Sequence, residues 1–202
     1  MTNEELKQLL KAEAEAVLNI PFTENYEKAV ALIFQAVHVN HGKLVTTGLG
    51  KAGQIALNIA TTLSSTGTPA VFIHAAEAQH GDLGVIQKND VLLLISNSGK
   101  TREILEMIRL ARLLHENIPF IVITGKKDSP LANATDIVLF TGDPKEICPL
   151  GLTPTTSTTA MNVIGDLLVV MMMKKINFTT AEYARRHHGG YLGEKSRNAP
   201  GN

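Results

Sequence analysis

Hydrophobic and polar residues follow two different patterns along this chain, and the change between them falls near Lys43. In the segments Asn3–Leu18 and Glu24–Val39, apolar residues recur every three or four positions, which predicts two amphipathic helices. Beyond Lys43, short runs rich in Leu and β-branched residues alternate with longer segments of helical periodicity. Runs without polar alternation are typical of strands that are covered on both faces of a sheet. Five such runs are present: Leu44–Thr47, Ala70–Ile73, Val91–Ile95, Phe120–Thr124 and Ile137–Phe140.

The alternation of strands and helices predicts the fold class. Strand–helix–strand units build a parallel sheet with right-handed crossovers, and the helices cover its faces. We therefore expect an α/β fold, a three-layer α/β/α sandwich with a five-stranded parallel sheet, followed by a long apolar helix from about Thr156 to Lys174. We expect one domain over residues 1–193 and a polar, disordered tail over residues 194–202. Ligands of such sheets bind at the carboxyl ends of the strands, so the loops there should carry the function.

Composition excludes several classes of function. The 202 residues carry 19 basic and 19 acidic side chains, and this balance argues against binding to nucleic acid or to an anionic membrane surface. Cys148 is the only cysteine, which excludes a disulfide within the chain and a cysteine-based metal site. The first residues are polar, unlike a signal peptide, and the longest apolar run, Leu167–Met173, is far shorter than the roughly 20 residues of a membrane span. We therefore expect a cytoplasmic protein.

The loop after the first predicted strand reads GLGKAG over residues 48–53. This is a formal G-x-G-x-x-G pattern, which dinucleotide-binding proteins use between a strand and a helix. Those proteins also need an acidic residue at the end of the second strand to hold the ribose. Here the second strand is followed by His74 and not by a carboxylate, which argues against dinucleotide binding. Glycines that only formed a tight turn would leave Lys51 unexplained. A lysine at a helix start suits a phosphate group or a developing oxyanion.

Two further loops are rich in hydroxyl groups, and each precedes a helical segment. Their hydroxyl residues are Ser96, Ser98 and Thr101 in the first loop, and Thr155, Thr156 and Ser157 in the second. Hydroxyls and free backbone N–H groups at a helix N-terminus form a cradle for a phosphate dianion. A single serine there would more often be an ordinary N-cap, but three hydroxyls, found twice, favour one anion site built from both loops or two adjacent sites.

Titratable side chains lie in three other loops. His80 lies in a polar segment between the second and third strands, where it either takes part in catalysis or hydrogen-bonds a loop. Glu146 follows the fifth strand, near the expected ligand edge. His187 and His188 are adjacent near the C-terminus, and neighbouring side chains rarely point the same way, so we expect no metal site there.

In this order, the loops resemble the sugar isomerase (SIS) domain and, within it, the arabinose-5-phosphate isomerases. The resemblance extends from Glu5 to Gly193 and is carried by the segments GLGKAG, SSTGTPAVF, HAAEAQHGDLG, SNSGKTREI, EICPL, TPTTSTTAMNVIGD and YARRHHGGYLG. The SNSG segment alone indicates only a sugar-phosphate-binding SIS domain. The HGDLG, E-x-C-P and A-R-x-H segments are far more specific to the isomerases. That family interconverts D-ribulose 5-phosphate and D-arabinose 5-phosphate, the first step toward the Kdo sugar of lipopolysaccharide and some capsules.

The resemblance implies a set of site residues. Its catalytic residues fall on Lys51, Glu103, Glu146 and His187. Its substrate-binding residues fall on a glycine, a histidine and a group of hydroxyls: Gly50, Ser64, Thr66, His80, Ser96, Ser98, Thr101, Thr155, Thr156 and Ser157.

Aldose–ketose isomerisation needs a base for the proton beside the carbonyl, a group that stabilises the enediolate, and a group that helps to open a cyclic sugar. From the resemblance we expect Glu146 to be the base, with Glu103 as the alternative. His187 would assist ring opening or carry the hydroxyl proton, and Lys51 would stabilise the enediolate. This scheme requires no metal and no organic cofactor.

Two departures from the family pattern bear on regulation and on the site. Members usually continue into a pair of CBS-type modules, whereas we expect this chain to consist of the SIS domain alone. Feedback would then act on the SIS domain itself or on a separate protein, and the best candidate ligand is CMP-Kdo, whose anionic groups suit Arg185, Arg186 and His188. The family also tends to have proline where this chain has His188, so the sequence does not tell His187 from His188.

SIS enzymes resemble one another in completing their sites across subunits. We therefore expect a homo-oligomer, specifically a tetramer, in which a neighbouring subunit supplies His187. Two alternatives stay open. One is a non-catalytic SIS domain that binds a phosphosugar and regulates a partner, and the other is an SIS isomerase that acts on another sugar phosphate.

Overall fold

The computed structural model describes residues 1–197. Within that part of the chain, five strands form one parallel sheet in the order β2-β1-β3-β4-β5. The strands are β1 (Leu44–Gly48), β2 (Ala70–Phe72), β3 (Val91–Ile95), β4 (Phe120–Thr124) and β5 (Ile137–Phe140). The α-helices are α1 (Asn3–Leu18), α2 (Asn25–Phe34), α3 (Gly50–Ser65), α4 (Ala75–Ala78), α5 (Arg102–Leu114), α6 (Pro130–Ala134), α7 (Thr156–Lys175), α8 (Thr180–Arg186) and α9 (Gly190–Arg197).

The sheet buries apolar side chains on both faces, which explains why its strands lack polar alternation. In β3, Val91, Leu93 and Ile95 belong to one hydrophobic core, whereas Leu92 and Leu94 belong to the other. The first core contains buried residues of α2, α3 and α7, and the second contains buried residues of α4, α5 and α6. The sheet is therefore the middle layer of an α/β/α sandwich, and the predicted fold class is confirmed.

Helix α7 packs into the first core. By length and composition it is apolar enough to span a membrane, but 50% of its most apolar window is buried inside the fold. Met161, Ile164 and Leu168 are among the residues that pack into the first core. This burial is what a core helix of a globular domain requires, and it explains the continuous apolar character of the segment.

The two ends of the described chain are helical. Helix α1 begins with a capping box, in which the Thr2 side chain accepts a hydrogen bond of 3.2 Å from Glu5 N, so Thr2 is its N-cap. At the other end, residues 194–197 form the second half of α9, where Ser196 is buried and its Oγ donates to the Gly193 carbonyl at 2.9 Å. We therefore correct the start of the predicted disordered tail. Residues 198–202 lie outside the described residues.

The strand order creates a point at which the chain changes direction across the sheet. From β1 the chain crosses to β2 on one side, and from β2 it returns past β1 to β3 on the other side. The loops that follow β1 and β3 therefore separate from each other at the carboxyl edge of the sheet. In open α/β sheets, ligands bind in the crevice at this switch point.

Candidate active site

A cavity of about 830 Å³ opens at the carboxyl ends of β1 and β3, at the switch point of the sheet. Six of the residues that the sequence indicated as site residues line it. They are Lys51, Ser96, Ser98, Thr101, Glu146 and Ser157. They come from the loop after β1 and the start of α3, from the loop after β3, from the loop after β5, and from the start of α7.

The loop after β3 forms a hydroxyl-lined floor. Ser96 is 3% exposed, its Oγ lies 2.8 Å from Thr101 Oγ1, and it also accepts a hydrogen bond of 3.2 Å from Gly99 N. Gly99 has a φ of +61°, and a Cβ at this position would collide with the Ser129 side chain, so the turn requires glycine.

The same loop leaves the start of α5 open to a ligand. The Thr101 side chain, at the N-cap position of α5, makes no capping hydrogen bond to the first turn within residues 1–197, because it pairs with Ser96 instead. Ser98 Oγ accepts from Lys100 N at 3.2 Å, so it does not cap the helix either. The ordinary N-cap interpretation therefore does not apply here. The free first-turn N–H groups and the adjacent hydroxyls are suited to a phosphate.

Glu146 lines the same cavity and is held in place by the start of α7. Its Oε2 accepts hydrogen bonds from Thr155 N at 2.7 Å, from Thr155 Oγ1 at 2.8 Å, and from Ser157 N at 3.2 Å. These contacts satisfy donors that the helix terminus would otherwise leave unpaired, and the positive end of the helix dipole favours a carboxylate there. With Oε2 anchored in this way, the other carboxylate oxygen remains for a substrate.

The surroundings of Glu146 keep it ionised. Burial acts to raise its pKa, but the Ser157 side chain and the Thr155 backbone and side chain together lower the pKa below the ordinary value of a glutamate. Ser157 Oγ is buried and lies close enough to act on this carboxylate, although it has no partner at hydrogen-bonding geometry within residues 1–197.

Lys51 supplies a cation to the same cavity. It lies in the first turn of α3, directly after Gly50, whose φ of +56° lets the chain turn sharply from β1 into the helix. Lys51 lines the cavity, and the hydrogen bonds and ion pairs found within residues 1–197 do not involve its ammonium group. An unpaired lysine in the same cavity as a carboxylate can stabilise negative charge that develops on a substrate.

The structure places Ser64 and Thr66, which the sequence indicated as substrate-binding residues, at the opposite edge of the sheet from the cavity of their own chain. Both lie at the end of α3, which begins at the cavity and extends for about 24 Å at 1.5 Å per residue. Ser64 Oγ donates to the carbonyl of Ala70, the first residue of β2, at 2.7 Å. Thr66 Oγ1 donates to the Thr62 carbonyl at 2.7 Å. The two hydroxyls therefore stabilise the turn from α3 into β2.

Glu103 and His80 lie outside the main cavity. Glu103 is in the first turn of α5, but it lines a second cavity of about 520 Å³ together with Gln79 and Arg109. His80 is exposed in the loop after α4, next to Gln79. Of the two glutamates considered as the base, Glu146 is therefore the one that faces the hydroxyl-lined cavity of its own chain.

His187 lies at the far end of α7 from the cavity. Helix α7 carries the chain about 30 Å away from the cavity rim. Beyond it, the Phe178 ring packs against Gly67, in the turn between α3 and β2 at the amino edge of the sheet. The His187 ring stacks on Tyr183 with 3.7 Å between ring centroids, and its Nδ1 lies 3.0 Å from the Tyr183 carbonyl oxygen. The fold therefore does not bring His187 to the cavity of its own chain.

Sequence reasoning missed three charged residues around the site. Lys126 and Asp143 form an ion pair at the rim of the cavity, and they follow β4 and β5 at the ligand edge, so their positions at strand ends were a usable signal. Glu13 of α1 accepts a hydrogen bond from Thr156 Oγ1 at 2.8 Å, and nothing in the helical pattern of α1 indicated this contact. Within residues 1–197, no group of three or more His, Cys, Asp or Glu side chains is arranged to hold a metal ion.

Known proteins are similar to this chain along most of its length. The SIS domain model matches residues 39–171. "Arabinose 5-phosphate isomerase KdsD" of Yersinia pestis is 44% identical over 191 residues, which are 94% of this chain and 56% of the relative. The chain thus spans little more than half the length of the curated relatives it matches.

Two solved structures resemble most of the described fold. A Bacteroides fragilis protein, described as a phosphosugar isomerase involved in capsule formation, is 64% identical with a TM-score of 0.91, over 93% of this chain and 98% of that one. An Escherichia coli CFT073 protein in complex with arabinose 5-phosphate is 36% identical with a TM-score of 0.80, over 93% of this chain and 100% of that one. The chain therefore belongs to the SIS domain family.

Proposed function

We propose that this chain is an aldose–ketose isomerase that interconverts D-ribulose 5-phosphate and D-arabinose 5-phosphate. The observation that carries the proposal is the position of Glu146, an anchored carboxylate that shares one cavity with a phosphate cradle and with Lys51. The arabinose 5-phosphate isomerases among its relatives, and the complex of a similar fold with arabinose 5-phosphate, support this choice of substrate.

The geometry supports a proton-transfer mechanism. The phosphate would lie on the loop of Ser96, Ser98 and Thr101, which leaves the carbonyl end of the sugar toward Glu146. The free oxygen of Glu146 would take the proton from the carbon beside the carbonyl, which gives an enediolate, and would return it to the neighbouring carbon. Lys51 would stabilise the negative oxygen of the enediolate. No net oxidation occurs, because one proton is removed from carbon and one is added to the neighbouring carbon, while the hydroxyl proton moves from one oxygen of the enediolate to the other.

We further infer that the cytoplasmic enzyme acts as a homo-oligomer, specifically a tetramer, with His187 supplied by a neighbouring subunit. Two observations support sharing: His187 lies far from its own cavity, and several large apolar side chains stay exposed on the helices. The latter are Leu6, Leu10 and Leu18 of α1, Leu57 of α3, and Leu167 and Val170 of α7. Exposed apolar surface of this kind is typical of subunit interfaces.

The product would serve Kdo synthesis for lipopolysaccharide or capsule, and CMP-Kdo is the proposed feedback ligand. Arg185, Arg186 and His188 are candidates for its anionic groups, and the two adjacent histidines and arginines lie at and just beyond the end of α8. A calorimetric titration with CMP-Kdo, repeated in the presence of arabinose 5-phosphate, tests this part. Binding weaker than about millimolar, or binding that the substrate does not displace, would contradict an inhibitor seated in the cavity.

The test of the reaction is incubation with D-ribulose 5-phosphate in D₂O. We expect arabinose 5-phosphate with deuterium at the carbon beside the carbonyl, since Glu146 exchanges its proton with solvent during turnover. Turnover of a hexulose 6-phosphate alone would reassign the substrate. Tight binding of phosphosugars without turnover would favour a non-catalytic SIS regulator.

A further inference from the structure

Two neighbouring threonines connect the Glu146 loop to two different carboxylates. The backbone N–H of Ile147 donates to Thr155 Oγ1 and to Thr156 Oγ1, at 3.2 Å in each case. Thr155 Oγ1 donates onward to Glu146 Oε2, and Thr156 Oγ1 donates onward to Glu13 Oε1, at 2.8 Å in both cases. Each hydroxyl therefore accepts from one shared amide and donates to a carboxylate.

Glu13 determines which way the Thr156 hydroxyl points. A hydroxyl has one proton to donate, and a carboxylate oxygen accepts it. With that proton directed at Glu13, a lone pair of Thr156 Oγ1 faces the Ile147 N–H. Thr156 is only 1% exposed, so solvent has little room to replace Glu13 as the acceptor. Because Ile147 directly follows Glu146, an amide fixed in this way also fixes the peptide that carries the proposed base.

A purely structural role for Glu13 fits the contacts less well. Its Oε2 is buried, and among residues 1–197 it has no hydrogen-bond partner. An unpaired buried carboxylate oxygen costs free energy, and an apolar side chain would dock α1 on α7 without that cost. Glu13 also lies outside residues 39–171, the segment that the SIS domain model matches. The contact therefore joins a segment outside that match to the loop that carries the proposed base.

We propose that Glu13 is a positioning residue, which orients Glu146 from outside the cavity through Thr156 and the Ile147 amide. The inference rests on the proposed role of Glu146 as the base. Helix α1 thereby becomes part of the catalytic apparatus, although none of its residues lines the cavity.

The first experiment compares two glutamates of the same helix. In Glu13→Ala, kcat should fall at least about fivefold while KM changes less than about twofold, because a displaced base affects the chemical step more than binding. The matched control is Glu15→Ala, which removes an exposed glutamate that pairs with Lys11 at 3.7 Å and should behave as wild type. Glu13→Gln keeps an acceptor oxygen and should retain most of the turnover. If Glu13→Ala does not fold, Glu13→Leu replaces it.

The second experiment tests the route. Thr156→Val removes the connecting hydroxyl, and the double variant Glu13→Ala/Thr156→Val should be no slower than Thr156→Val alone, since both changes break the same connection. Hydrogen exchange measured by mass spectrometry gives a readout that needs no turnover. The segment 146–157 should exchange faster in Glu13→Ala than in Glu15→Ala or Glu13→Gln.

The outcomes separate this proposal from the proposed reaction. Equal kcat values in Glu13→Ala and Glu15→Ala, additive effects in the double variant, or unchanged exchange over 146–157 would each overturn the positioning role. Faster exchange confined to α1, with a lower melting temperature and an unchanged kcat of the folded fraction, would also overturn it, because that is the result of simple docking. A wild-type protein that does not convert ribulose 5-phosphate would contradict the proposed function, while the exchange comparison would still decide the role of Glu13.

Discussion

The backbone N–H of Thr155 donates a hydrogen bond of 2.7 Å to Glu146 Oε2. Thr155 is the N-cap residue of α7, so the loop after β5 is tied to the start of a helix that packs into the first core. This contact holds one carboxylate oxygen of a residue that lines the cavity. A carboxylate fixed in this way is pre-organised for repeated proton transfer, because no reorientation is needed within a catalytic cycle.

Replacement of this carboxylate should abolish most of the turnover. In Glu146→Gln, the amide oxygen can still accept from Thr155, so the fold and phosphate binding should persist. An amide cannot take the substrate proton, and we expect kcat to fall at least about a hundredfold, the lower end for loss of one general base. Steady-state kinetics, with melting temperatures as the check on folding, measure the effect. Glu103→Gln is the comparison variant, and near-normal turnover of Glu146→Gln would move the base to Glu103.

Loss of a cradle hydroxyl should affect binding more than chemistry. Ser96 is buried beside Thr101, and Ser96→Ala removes a hydroxyl that we place against the phosphate. Hydrogen bonds to charged groups contribute about 1.5–3 kcal/mol, so KM should rise at least about tenfold, with a smaller change in kcat. Competitive inhibition by inorganic phosphate should weaken in parallel.

Ser64→Ala is the matched control for that variant. It also removes a serine hydroxyl, but at the opposite edge of the sheet, where Ser64 stabilises the turn before β2. Its KM should equal that of the wild type. A KM that rises equally in both variants would show that the loop after β3 does not hold the phosphate.

The strands and most helices could be predicted from sequence because burial on both faces of a sheet leaves a continuous apolar pattern. The residues Val91–Ile95 formed such a run, and they are β3 in the structure. The site was less predictable. Ser64 follows the glycine loop closely in sequence, yet the length of α3 moves it to the far edge, because a motif records order along the chain and not distance in space.

Contacts between distant segments were beyond any local pattern. Thr156 and Glu13 are 143 residues apart, and α1 showed only the polarity of a surface helix. The position of His187 was predictable in part, since a helix as long as α7 necessarily ends far from where it starts. The sequence does not predict which surface of a neighbouring subunit His187 would approach.

The pH dependence of catalysis should report the hydrogen bonds on Glu146. Its folded pKa is lowered, so the carboxylate contributes to the free energy of unfolding above the unfolded pKa, and this contribution is lost as pH falls through the folded pKa. The acid limb of kcat/KM should accordingly lie below the ordinary pKa of glutamate. Thr155→Val removes the side-chain donor at 2.8 Å and should move that limb to higher pH. Carbon-13 NMR titration of the glutamate carboxyl groups provides an independent measurement, and a limb that stays or moves down would contradict this assignment.

Sharing of the active site between subunits can be tested by complementation. His187 lies beyond α7, toward the amino edge of the sheet, whereas the cavity that contains Glu146 lies at the carboxyl edge. A single chain therefore does not supply both groups to one cavity. If a neighbour supplies His187, subunits of His187→Ala and Glu146→Gln are each inactive alone, but a mixed oligomer contains some cavities with both native residues. Activity should therefore appear after subunit exchange and should depend on the mixing ratio, with a maximum near equal amounts.

The matched control is His188→Ala mixed with Glu146→Gln. It distinguishes the two adjacent histidines, because His188→Ala should already be active before Glu146→Gln subunits are added. Exchange is verified by native mass spectrometry of differently labelled subunits, and absence of recovered activity in verified mixed oligomers would place all catalytic groups within one chain.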